Sequence, residues 1–110
     1  MCVQILNTKN KIDELNVLRK LKKRPSITQR ELAKDLSLSL GKINYCLKAL
    51  NKKGFIKVKN FKKNPNKFTY FYLITPKGIT EKTKLTINFM RQKMKEYDEL
   101  KSELSEKEKL

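Results

Sequence analysis

The hydrophobic period of this chain changes twice, and that limits the folds open to it. Three segments before residue 54 repeat their apolar residues every three or four positions, as amphipathic helices do. Residues 55–74 alternate instead, as half-buried strands do. Beyond residue 77 the helical step returns and runs to near the C-terminus. Three helices, a hairpin and one long helix make a mainly α chain with a single small β element.

Local chemistry marks each boundary. Ile12, Leu15, Leu18 and Leu21 step by three, with Val17 beside them, and predict a helix over residues 10–23. Residues 1–9 show no clear period and fit either a frayed or a helical start. Asp13 and Glu14 then read as first-turn acids, with Lys20, Lys22, Lys23 and Arg24 crowding the last turn, as the helix dipole favours. Pro25 follows. Thr28 and Glu31 have capping-box spacing, with the Glu31 carboxylate expected on the Thr28 amide. A short helix over 29–36 presents Leu32, Ala33 and Leu36. After the connector Ser37-Leu38, Ser39 caps a third helix over 40–53 with Ile43, Leu47 and Leu50 on one face, and Gly54 ends it.

Ile56 and Val58 alternate with Lys57 and Lys59 in the first strand. Residues 60–67 read as a long basic loop, and 68–74 as a second strand with apolar residues on both faces, so that its outer face should also have a partner. Thr75 and Pro76 suit the N-cap and first position of the last helix. In that helix Ile87, Met90, Met94, Tyr97 and Leu104 step by 3, 4, 3 and 7, a heptad seam in which Lys101 takes one place. Leu85 and Phe89 form a second stripe suited to packing on the body. At about 1.5 Å per residue, a helix over 77–109 is roughly 50 Å long, more than a body of this size covers.

Composition narrows the chemistry. The 110 residues include no histidine and two cysteines, Cys2 and Cys46. The commonest general base and zinc ligand are therefore missing, and two cysteines alone do not close a zinc site. Gly41, Gly54 and Gly78 lie too far apart to cradle a phosphate. No enzymatic activity, metal or cofactor is expected. No apolar run approaches the ~18 residues of a membrane span, and residues 1–6 are too short and polar for a signal peptide. A reducing cytoplasm is the expected setting.

Charge points to a partner. Lys and Arg number 27 against 11 Asp and Glu, a net +16. Residues 96–110 carry six acids and three lysines, so the preceding 95 residues carry +19. Such a body attracts polyanions, nucleic acid first.

The run Ile27-Thr28-Gln29-Arg30-Glu31-Leu32-Ala33, then Ser39 to Leu50, then Lys53-Gly54-Phe55-Ile56, resembles the winged helix-turn-helix of MarR-type regulators. Residues 72–78 resemble the strand-to-helix junction of the same group, and 41–50 with 57–61 are most similar to its small exopolysaccharide-associated members. The resemblance covers about residues 11–100. It implies a DNA-binding domain over 1–78 and a dimerisation helix over 79–110. It also implies a bacterial homodimer that reads a pseudo-palindromic operator in double-stranded DNA, with half-sites about one turn apart.

By position in the motif, Ser39, Gly41, Lys42, Asn44, Tyr45 and Lys48 would face DNA from the third helix. Thr28, Gln29 and Arg30 would do so from the second helix, and Lys59, Lys62, Lys63 and Lys67 from the wing. MarR-type proteins bring helices from both chain ends around a ligand pocket. Here little precedes the first helix and one helix follows the wing, so no small-molecule effector is carried over. The competing readings are an RNA-binding or nonspecific basic module, with Phe61, Phe68, Tyr70 and Phe71 stacking bases, and a winged helix that docks another protein. Cys46 is either a redox group or an apolar filler.

Overall fold

The structure is a computed structural model that describes the backbone of residues 2–64 and 67–108 and the side chains of 10–59 and 70–106. The elements are α1 (Cys2–Lys23), α2 (Gln29–Leu36), α3 (Leu40–Lys52), β1 (Ile56–Asn64), β2 (Lys67–Ile74) and α4 (Pro76–Glu108). The order agrees with the sequence pattern: mainly helical, with a hairpin wing and a long last helix.

Two boundaries differ from the expected ones. The α1 backbone is helical from Cys2, so Asp13 and Glu14 lie mid-helix and are not first-turn acids. Both are buried. The strands also run further than the alternation suggested. Residues 60–64 and 67–69 remain in an antiparallel ladder that pairs Asn60 with Tyr70 and Lys62 with Phe68, with an irregularity between Lys62 and Asn64. The basic loop is therefore mostly strand backbone. Lysine and asparagine disfavour strands only weakly, and a ladder already nucleated at Ile56–Ile74 carries them along.

The caps form as the sequence chemistry requires. The Thr28 hydroxyl accepts from the Glu31 amide at 3.1 Å, and the Ser39 hydroxyl from the Lys42 amide at 3.0 Å. One detail departs: the Glu31 carboxylate takes the Arg24 guanidinium at 2.6 Å and the Thr28 hydroxyl at 3.1 Å. Helix α3 closes with Gly54 at φ 78° and a Phe55 N–H to Leu50 carbonyl bond of 2.9 Å, the left-handed C-terminal turn that glycine permits. Ser37 adopts a similar conformation, φ 54°, in the tight α2–α3 connector.

The core lies where α1, α2, α3 and the base of the hairpin meet. Val17, Leu18 and Leu21 pack with Ile27, Leu32, Ile43, Cys46, Leu47, Leu50, Ile56 and Tyr72. A fully buried side chain of this kind stabilises by about 1.5–3 kcal/mol relative to its exposed state. The hairpin is tied down by a Tyr72 N–H to Pro25 carbonyl bond of 3.1 Å and a Thr75 N–H to Phe55 carbonyl bond of 3.0 Å. Its outer face is only partly covered: Phe71 is half-buried and Leu73 exposed. Thr75 caps α4, its hydroxyl accepting from the Gly78 amide at 3.0 Å. Leu85 is buried, and with Phe89 it lines a small cleft whose other wall is Ile12 and Leu15 of α1. Beyond Met90 every described residue of α4 is exposed.

Candidate nucleic-acid interface

Helix α3 has two sides. Ile43, Cys46, Leu47 and Leu50 point into the core, while Leu40, Gly41, Asn44, Tyr45, Lys48, Asn51 and Lys52 are exposed. At about 100° per residue, these exposed positions form one continuous face. It is braced from behind by Leu32, with Leu36 at the margin. Tyr45 is 57 % exposed, and a Cβ added at Gly41 would meet nothing within 4 Å. Asn44 and Lys48 stand clear of the core on the same side. Ser39 is exposed, its hydroxyl occupied by the cap.

Lys42 is placed differently from the expectation for a base reader. It is half-buried on the α1 flank of α3. Its ammonium hydrogen-bonds the Asn10 side-chain oxygen, lies 3.7 Å from Asp13 Oδ2 and sits 5.2 Å from the Tyr45 ring centroid. At the far end of α3, Lys53 Nζ donates to Glu14 Oε1 at 3.0 Å. Asp13 and Glu14 thus hold the two ends of α3 against α1, a role hidden from any local pattern because the partners are some thirty to forty residues away.

These pairs shape the electrostatics. Four of the five acids before residue 96, Asp13, Glu14, Glu31 and Asp35, lie within 4 Å of a cation: Lys42, Lys53, Arg24 and Lys20 respectively. Residues 36–80 contain ten lysines and no acid. The exposed face of α3 and the whole hairpin therefore belong to an acid-free stretch, a signal that was readable in the sequence.

From the second helix, Arg30 and Thr28 are exposed. Gln29 is half-buried and its amide lies 3.5 Å from the Tyr72 hydroxyl. The ladder puts Ile56, Val58, Tyr70, Tyr72 and Ile74 on the helix-facing side of the hairpin. Ile56 and Tyr72 are buried, whereas Val58 and Tyr70 lie beyond the core, 41 % and 51 % exposed. They border a groove whose other wall is Asn44, Leu47, Lys48 and Asn51. Asn51, Lys52, Val58 and Tyr70 are members of this surface that the motif alone did not nominate. Lys59 is exposed on the opposite face of β1. Lys62, Lys63 and Lys67, like Phe61 and Phe68, have side chains outside the described residues.

Cys46 is buried on the core side of α3, and loss of hydration pushes its thiol above the ordinary 9.0. Lys42 and Lys53 oppose that shift, and Asp13 and Glu14 add to it. A protonated thiol is a poor nucleophile, so the filler role suits its position. Among the described residues no group of three potential ligands is placed to hold a metal ion, and no helix is long and apolar enough to cross a membrane.

The residues expected to form a seam share one exposed side of α4. Ile87, Met90, Met94, Tyr97 and Leu104 are 44–65 % exposed, and their stripe lies on the side of α4 away from Leu85. Leu100, 65 % exposed, flanks it.

This arrangement is a winged helix-turn-helix. A winged helix-turn-helix DNA-binding family matches residues 14–57. No curated protein sequence matches the chain. Among solved structures, the PcaV transcriptional regulator from Streptomyces coelicolor, in complex with its natural ligand, is similar at 18 % identity and TM-score 0.61, over 71 % of this chain and 54 % of that one. Staphylococcus aureus MarR, in complex with salicylate and kanamycin, is similar at 20 % identity and TM-score 0.59, over 78 % and 56 %. Streptococcus pneumoniae FabT, in complex with DNA, is similar at 22 % identity and TM-score 0.58, over 80 % and 59 %. The fold is thus shared with MarR-type regulators, and the chain spans a little over half the length of these proteins.

Proposed function

We propose that this protein is a sequence-specific double-stranded DNA-binding transcription regulator. The observation that carries the reading is the acid-free surface formed by the outer side of α3 and the hairpin, with the acids of α1 and α2 turned into ion pairs elsewhere. A helix of this kind enters the major groove and a basic hairpin follows the backbone. Gly41, Asn44, Tyr45 and Lys48 are the base-reading set; Thr28, Gln29, Arg30 and the wing lysines Lys59, Lys62, Lys63 and Lys67 position the protein on phosphates. Ser39 opens α3 with backbone amides suited to a phosphate. Lys42 belongs to the support of α3 and acts on DNA through its position. FabT, which shares the fold, was solved with DNA, in keeping with this use of the surface.

The protein acts as a homodimer through Ile87, Met90, Met94, Tyr97 and Leu104, on an operator made of two related half-sites. Its motifs resemble those of the small exopolysaccharide-associated MarR-type regulators, and it would work in the bacterial cytoplasm on the nucleoid. Selection from a random duplex pool, followed by salt titration of the winners against random duplex and structured RNA, tests the reading. An enriched motif present in two copies is expected. Steep salt dependence without enrichment, or tighter RNA binding, overturns it.

A further inference from the structure

The exposed stripe of α4 has a direction built into its charges. Residues 83–95 hold Lys84, Arg91, Lys93 and Lys95 and no acid, a net +4. Residues 96–108 hold six acids and two lysines, a net −4. The two halves are equal in length and opposite in sign, and the boundary falls at the middle of the stripe between Met94 and Tyr97.

We infer that two copies of α4 pair antiparallel, crossing near residues 95 and 96, so that the basic half of each lies along the acidic half of the other. The inference rests on the homodimer proposed above and specifies its geometry. In this register Ile87 meets the other copy's Leu104, Met94 meets its Tyr97, and Met90 meets its Lys101. The heptad interruption is then matched to a flexible thioether, and the Lys101 stem lies along it while the ammonium reaches water. A parallel pair sets Lys101 against Lys101 inside the seam, and stacks +4 on +4 and −4 on −4. Like charges facing each other across a seam select against that pairing. Asp98 finds one cation in either orientation, Arg91 when antiparallel and Lys93 when parallel, and so does not decide. All five stripe residues and Leu100 are exposed in the single chain, so none of the described residues covers them. Antiparallel pairing sends the two winged domains to opposite ends, with their Gly78 residues roughly 50 Å apart along the pair at about 1.5 Å per residue.

The test is cross-linking in the full chain with Cys2→Ser and Cys46→Ala, carrying Ile87→Cys or Leu104→Cys alone, treated with a short bismaleimide. In the antiparallel pair each single variant stays uncross-linked, because its two cysteines stand about 25 Å apart, whereas an equimolar mixture gives an 87–104 product as a major species. A homodimeric 104–104 product from the single variant overturns the orientation. A dimer by light scattering with none of these products overturns the α4 seam. A monomer at all concentrations overturns the homodimer itself, a separate failure. The introduced cysteines lie on exposed positions of α4, while Cys46→Ala removes some core packing, so circular dichroism of the cysteine-free background sets the folded reference for both variants.

Discussion

Lys53, at the C-terminal cap of α3, donates from Nζ to Glu14 Oε1 at 3.0 Å, in the middle of α1. The Glu14 side chain is 10 % exposed and that of Lys53 51 %. The carboxylate therefore depends on this one partner more than the ammonium does. Lys53→Met should lower stability by about 1–2 kcal/mol, the cost of a largely buried carboxylate left unpaired, reduced because the lysine side faces water. The double variant Glu14→Leu/Lys53→Met should recover most of the loss. Urea denaturation of the cycle measures it; additive losses in the double variant would show that the two groups do not interact.

Lys42 and Asn44 are two residues apart, yet they have different surroundings. Lys42 is bound to Asn10 and Asp13 on α1, whereas Asn44 is exposed on the outer face. Lys42→Met should lower the urea midpoint and weaken selected and random duplex by similar factors. Asn44→Ala should shift stability by no more than about 0.5 kcal/mol and weaken the selected site alone, by about 1–3 kcal/mol for a lost bidentate base contact. Fluorescence anisotropy on both duplexes separates the cases. A selective loss in Lys42→Met would add it to the base-reading set.

The caps Thr28, Ser39, Gly54 and Thr75 depend on neighbours within a few positions, and sequence spacing suffices to place them. The inward and outward sides of α3 follow from its period alone. Asp13 and Glu14 resemble first-turn acids because residues 1–9 carry no period that separates a frayed start from a helical one, and the structure starts the helix at Cys2. Their true partners, Lys42 and Lys53, are distant in sequence, and burial of a charge is never visible from its neighbours. The flank position of Lys42 had the same cause. Tyr70 and Val58 joined the groove only because the ladder continues past the core, a cooperative property of the hairpin.

Two glycines should respond oppositely to alanine. At Gly78 an added Cβ would stand 2.0 Å from the Phe55 carbonyl oxygen and 2.8 Å from Ile74 Cγ2. Part of that contact is backbone, so α4 must move away from the hairpin, and Gly78→Ala should cost about 1–3 kcal/mol or more. At Gly41 nothing lies within 4 Å, and alanine is the better helix former by up to about 1 kcal/mol. Gly41→Ala should therefore raise the melting temperature while weakening DNA binding, since the methyl would occupy the surface proposed to approach the groove. Unchanged affinity in a stabilised Gly41→Ala protein would move the contact away from the start of α3.

Cys46 links the core to pH. Burial, the largest influence, pushes its thiol above the ordinary 9.0, with Asp13 and Glu14 acting in the same sense and Lys42 and Lys53 against it. Below about pH 9 the thiol is neutral in both folded and unfolded chains and contributes no pH dependence. Above it the unfolded chain releases the proton first, and the folded state binds more protons than the unfolded one. Stability therefore falls as pH rises from the unfolded value through the raised folded value. Cys46→Ala should lose about 1 kcal/mol at pH 7 from the smaller side chain, and the gap between it and the wild type should narrow above pH 9. Urea midpoints of both proteins from pH 7 to 10.5 measure this, since the lysines and tyrosines common to both cancel in the difference. A gap that stays constant across that range would mean that the thiolate is as well solvated in the folded core as in the unfolded chain, which the 1 % exposure of Cys46 contradicts.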